Sequence, residues 1–162
     1  MMAIGYLLFL VLIAFHEVIL RGATSIGGVA INLPAIIVFS VALHRSEAES
    51  VWFAFIAAMV MSAGAPLSMG YQVLAMVLIS LVIFHAREQL NAEAMVTRLA
   101  ILIAAVLVHN SLTLAFARPS DFWYQMLRFS LTGTIYTGAV AYLIYTIGLS
   151  RSSGRRSGAS YR

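Results

Sequence analysis

Six apolar runs, separated by short polar segments, leave this chain few folds to choose between. They fall at 3–20, 26–43, 51–64, 70–85, 98–117 and 122–149. Five of them approach or exceed the roughly 20 residues a helix needs to cross the ~30 Å hydrocarbon core of a bilayer. The run at 51–64 reaches only about 21 Å at 1.5 Å per residue and stops at Gly64-Ala65-Pro66. It reads either as a tilted, Pro-interrupted span reaching about Met69 or as a partial crossing. Composition agrees: 62% of the 162 residues are hydrophobic and 10% are charged, against roughly 45–50% and 25% in soluble domains. A small domain leaves about a third of its potential surface exposed, so this excess of apolar surface must face lipid. The expectation is an all-α polytopic membrane protein of about six transmembrane helices, one domain over 1–149, followed by a disordered basic tail over 150–162.

The absence of cysteine excludes disulfides, thiolate metal sites and thiol nucleophiles. All ten basic residues are Arg, so covalent lysine chemistry is excluded too. Arg151, Arg155, Arg156 and Arg162 lie among Ser, Gly, Ala and Tyr at the C-terminus. Such a segment buries nothing and suits an anionic membrane surface; membrane lipids rather than nucleic acid are the expected contact. The first run lacks a basic start and a small-residue cleavage pattern, so it reads as a retained helix rather than a signal peptide.

Six spans put both termini on one side, and basic residues choose the side. With the N-terminus inside, the inner segments hold Arg45, Arg87, Arg98, Arg151, Arg155, Arg156 and Arg162, and the outer ones only Arg21, Arg118 and Arg128. Seven against three favours both termini in the cytoplasm over a five-span arrangement. Trp123 and Tyr124 then fall at the outer interface and Trp52 at the inner one, where aromatic belts lie.

Ionisable and amide groups inside spans are costly and become functional candidates by default. His16-Glu17 begins a zinc-protease pattern, but the second His would stand at position 20, which is Leu; no metal is expected. Glu17 and Arg21 are spaced for a helical ion pair. His109 and Asn110 are open to three readings: buried packing, a ligand or proton relay, or a contact to a partner helix. Arg128 reads as a snorkelling or paired Arg with Glu17 or Asp121 as its partner, on nearly the same face as Thr132 and Tyr136. In the last helix Gly133, Thr134, Thr137 and Gly138 form a small-residue packing face, for this chain's own helices or for a partner's. With the orientation above, Glu17, Asn32, Gln72, His109, Asn110 and Arg128 all fall in the outer half of the bilayer. They are the candidate ligand- or partner-binding residues, around a polar cavity or contact surface open to the outside. No nucleophile elbow, phosphate loop or His cluster is present, and no acid stands in the middle of a span, which argues against a proton- or sodium-coupled carrier. No enzyme activity and no cofactor are expected.

The order of features resembles the rod shape-determining protein MreD family over about 31–145. The second span opens with Asn32-Leu33-Pro34-Ala35-Ile36-Ile37. The stretch Ala57-Ala58-Met59-Val60-Met61-Ser62-Ala63-Gly64-Ala65-Pro66-Leu67-Ser68-Met69-Gly70 is similar to the family's central signature, a small-residue helix running into a Pro-apolar-x-Gly turn. The Asp that many members carry in this helix has no counterpart at Val60 to Ser62, and family glycines of the third helix are Ala here. The resemblance implies a six-helix fold similar to the substrate-binding S components of vitamin transporters, with an outward pocket. It implies the bacterial inner membrane, a single-span MreC-like partner, and work with the MreB cytoskeleton and the peptidoglycan synthases as a scaffold without catalysis. The alternative is a substrate-binding component of a small-molecule (vitamin) transporter.

Overall fold

A computed structural model describes the backbone of residues 2–26, 28–90, 94–117 and 120–156 and, among these, the side chains between 4 and 147. Among the described residues it is 88% helical and has no strand. Three helical segments, Ile4–Ala23, Pro66–Gln89 and Met95–Ala117, are long and apolar enough to cross a membrane.

Helix α1 (Met2–Phe15) continues through a π-helical turn, His16–Leu20, and ends in a last turn, Arg21–Ala23. It lies at the edge of the bundle, with Leu7, Leu8 and Val11 exposed, and docks on the third helix through Tyr6 and Phe9 against Phe53. Helix α2 (Leu33–His44) is the core of the molecule; nine of its residues, Pro34 through Phe39 and Val41 through Leu43, are buried. Helix α3 (Glu47–Ser62) starts at Ser46, whose hydroxyl accepts from the Glu49 N–H, in a Ser-x-x-Glu pattern. Helix α4 (Met69–Gln89) follows the short 3-10 turn Pro66–Ser68, and α5 is Met95–Ala117. The last helix begins with Phe122–Gln125 and a second π-helical turn, Met126–Leu131, and continues as α6 (Thr132–Arg156).

One expectation is corrected here, and one of two open readings is set aside. The second run is not helical from residue 26. Gly28 takes φ +83°, a region open to glycine at no steric cost, and Ile26 and Val29 close a tight reversal by exchanging backbone hydrogen bonds. The helix starts only after Asn32, whose side chain accepts from the Ala35 N–H at 3.1 Å. Pro34 follows inside the first turn, where its missing N–H costs nothing. The resulting α2 is about 18 Å long, a half-helix rather than a full span. The third run also does not continue to Met69. It ends at Ser62, and the chain reverses through Ala63–Ala65 into the Pro66 turn, because Pro66 has no N–H with which to continue the helix.

Successive helices alternate in direction. Tyr6 on α1 donates to Glu49 at the start of α3. Arg98 at the start of α5 meets His44 at the end of α2, and Arg87 near the end of α4 donates to the Ala42 carbonyl. Tyr145 on α6 pairs with Ser40 on α2. These contacts gather one end of the bundle. The other end collects the π-turns, the non-helical 28–32 segment and the α3–α4 reversal. The backbone of α6 stays helical to Arg156, past the expected boundary at 149. Arg118, Pro119, Arg162 and the rest of 157–162 lie outside the described residues.

Candidate functional site

The irregular end of the bundle encloses a cavity of about 470 Å³. It exists because two helices stop short there. Helix α2 begins late, α3 ends early, and between them the 28–32 segment runs as open backbone along the wall. Glu17 and Arg21 enter from the end of α1, Gln72 from the start of α4, His109, Asn110 and Thr113 from α5, and Phe129, Ser130 and Gly133 from the last helix. Met61, Leu114 and Val29 supply apolar wall. Both π-helical turns border it, through Glu17 and through Phe129 and Ser130. Such turns widen a helix locally and leave its hydrogen bonding less regular.

Asn32 joins three helices. Its Oδ1 caps α2, its Nδ2 donates to Asn110 Oδ1 at 3.0 Å, and its backbone N–H donates to Thr137 Oγ1 at 3.0 Å. Asn110 Nδ2 in turn donates to Thr134 Oγ1 at 3.3 Å, and Thr134 returns its own proton to the Ser130 carbonyl. Ser111 and Ser130 pair at 3.0 Å. Gln72 is held at both ends of its amide: Ser62 Oγ donates to Oε1 and Nε2 donates to Ser68 Oγ. That amide ties α4 to the end of α3 across the Pro66 turn.

His109 is 4% exposed, stands edge-on to Phe39, and its Nδ1 has no hydrogen-bond partner among the described residues. His16 is equally buried, and its Nδ1 lies 3.6 Å from Glu17 Oε1. Glu17 accepts from Arg21 at 2.7 Å, one turn on. No group of three metal-ligating side chains occurs among the described residues.

Of the six residues singled out from the sequence, Glu17, Asn32, Gln72, His109 and Asn110 line this cavity and Arg128 does not. Arg128 is exposed. It donates to the Tyr124 hydroxyl at 2.9 Å and lies over the rings of Tyr124 and Phe129, not against Glu17 or Asp121. The physical reason is the π-turn, whose i to i+5 bonding shifts every face read at 3.6-residue spacing. Gly133, Thr134, Thr137 and Gly138 are buried inside the chain: Gly133 faces Val29 and Asn110, and Gly138 faces Ile103 on α5. This face is occupied by the protein itself and is closed to a partner helix. Sequence reasoning missed the backbone of Gly28 to Ile31 as part of the wall. The signal was present, in a Gly pair followed by Asn-x-Pro, but it was passed over inside an apolar run. No family model, no curated protein and no solved structure matches this chain.

Proposed function

We propose that this protein is a non-enzymatic membrane scaffold or regulator that recognises its partner at the polar cavity. The observation that carries the reading is the convergence of Glu17, Asn32, Gln72, His109 and Asn110 on one cavity. Side chains of this kind are expensive in a bilayer and collect where something is recognised. On this reading the six helical segments are the six membrane passages, with the short α2 and α3 shielded by their neighbours. The end carrying Arg45, Arg87 and Arg98 faces the cytoplasm, together with both termini, and the cavity opens outward. Trp52 and Trp123, both exposed, serve the two interfaces. The sequence resemblance to the MreD family makes the setting the elongation machinery of a bacterial inner membrane, and a coiled-coil, single-span MreC-like protein the partner.

The test is co-purification. Full-length protein extracted from its own membranes in mild detergent is expected to retain a single-span partner, and Asn110→Leu is expected to weaken that capture. A preparation that carries no partner, or an Asn110→Leu variant that captures it as well as the parent does, removes the reading. A second reading, the substrate-binding component of a small-molecule transporter, is favoured by the cavity volume, which falls within the roughly 300–1,000 Å³ of small-molecule sites. Tight retention of a small molecule with no partner would establish it instead.

A further inference from the structure

The unspent hydrogen-bonding capacity of the cavity, and its charge balance, define what it takes. The Ala30 N–H and carbonyl and the Ile31 N–H make no backbone hydrogen bond among the described residues, and both residues line the cavity. Non-helical backbone at membrane depth persists only where protein, water or a ligand satisfies it. Asn32 and Asn110 each spend one amide proton on a neighbour and hold a second in reserve, as an NH₂ group has two. His109 borders the cavity, but its unpartnered Nδ1 is sealed from it.

The same walls carry no net formal charge. Glu17 and Arg21 neutralise each other at 2.7 Å. The start of α2 is no anion site: Asn32 caps the Ala35 N–H, the Ile36 N–H is bonded to the Asn32 carbonyl, and Pro34 has no N–H. A charged ligand would lose its water without gaining a counter-charge.

We propose that the cavity is a binding site for an uncharged, amide-rich ligand that pairs with the Ala30–Ile31 backbone and with the Asn32 and Asn110 side chains. This rests on the cavity being a recognition site. The shared chemistry is the neutral amide. It can arrive on an extended segment of a protein partner, by the strand-like pairing of free backbone groups, or on a free small molecule.

A matched set of probes tests it on the full chain in lipid nanodiscs: N-acetyl-trialanine amide, which is neutral, N-acetyl-trialanine, which is an anion, and trialanine amide, which is a cation. Binding is read by native mass spectrometry and by thermal shift. The neutral probe is expected to bind at least about tenfold more tightly than either charged one. Ala117→Trp, which fills the cavity mouth, is expected to abolish binding; Val108→Trp, on the exposed face of the same helix, is expected to preserve it and so controls for folding. If the neutral probe displaces a co-purified protein, the amide comes from a partner segment; if it displaces a small molecule, the amide is free, and either result supports the inference. Equal or tighter binding of a charged probe overturns the chemistry while leaving the recognition site standing. Binding of no probe also overturns the chemistry. If Ala117→Trp leaves partner capture unchanged as well, the recognition site itself falls.

Discussion

Asn32 is the residue at which a single substitution separates two energies that the structure places on one side chain. In Asn32→Ala the N-cap of α2 is lost, which costs about 1 kcal/mol. The hydrogen bond to Asn110 is lost too, and bonds between helices in a bilayer average about 0.6 kcal/mol, with a maximum near 1.7. The bond from the Asn32 backbone N–H to Thr137 survives, because it does not use the side chain. The sum is about 1.6–2.7 kcal/mol. Asn110 Oδ1 loses its donor but borders the cavity, so water can replace the donor and the larger penalty of a sealed orphan group does not apply. Asn32→Ser keeps an oxygen able to cap α2 and loses only the contact to Asn110, so it is expected to cost about 0.6–1.5 kcal/mol. The assay is reversible unfolding in mixed micelles with rising SDS fraction, followed by Trp fluorescence. A double-mutant cycle with Asn110→Ala is expected to give a coupling of about 0.6–1.7 kcal/mol between positions 32 and 110. If Ser proves as damaging as Ala, the capping argument is wrong. If the two alanine substitutions add to within about 0.3 kcal/mol, the hydrogen bond contributes nothing and the network is decorative.

Three further outcomes follow from the packing. Gly138→Leu is expected to destabilise by about 1–3 kcal/mol, since even a Cβ there would lie 3.2 Å from Ile103; Gly133→Ala, whose Cβ meets Val29 at an ordinary 3.5 Å, is expected to be neutral or to stabilise by up to about 1 kcal/mol, and the same SDS titration reads both. Arg128→Leu is expected to leave capture of the partner or ligand unchanged within about twofold, because about 0.4 kcal/mol is all that a twofold change represents and Arg128 has no place in the cavity wall; a larger loss in a pull-down would put it back in the site. Glu17→Gln is expected to cost less than about 1 kcal/mol of stability, as its partner Arg21 is 64% exposed; a larger fall in the unfolding midpoint would mean that the pair holds α1 in place.

Fold class was legible because it depends on something insensitive to detail. A run of apolar residues has to form a helix in lipid wherever its ends fall, since no other single segment satisfies its own backbone there. Helix ends were legible where a side chain announces them. Ser46 and Glu49 mark the start of α3, and Asn32 with Pro34 marks the start of α2. The second of these was misread because the apolar residues before it, Val29 to Ile31, continue the hydropathy of the run even though their backbone is not helical.

Arg128 stands outside the cavity wall for a different reason. Its depth in the membrane was inferred from position along the chain, which tolerates an extra residue in one turn. Its direction was inferred from 3.6-residue spacing, which does not. Nothing in Met126-Leu127-Arg128-Phe129-Ser130-Leu131 announces a π-turn; the turn is a consequence of packing against α5 and the 28–32 segment, through Ser130 on Ser111 and Phe129 beside Gly28. Glu17 stands on a π-turn as well and borders the cavity, as do Phe129 and Ser130 beside Arg128. Depth along the chain thus brings five of the six candidates to one cavity, while the direction of a single side chain within a π-turn is not set by depth.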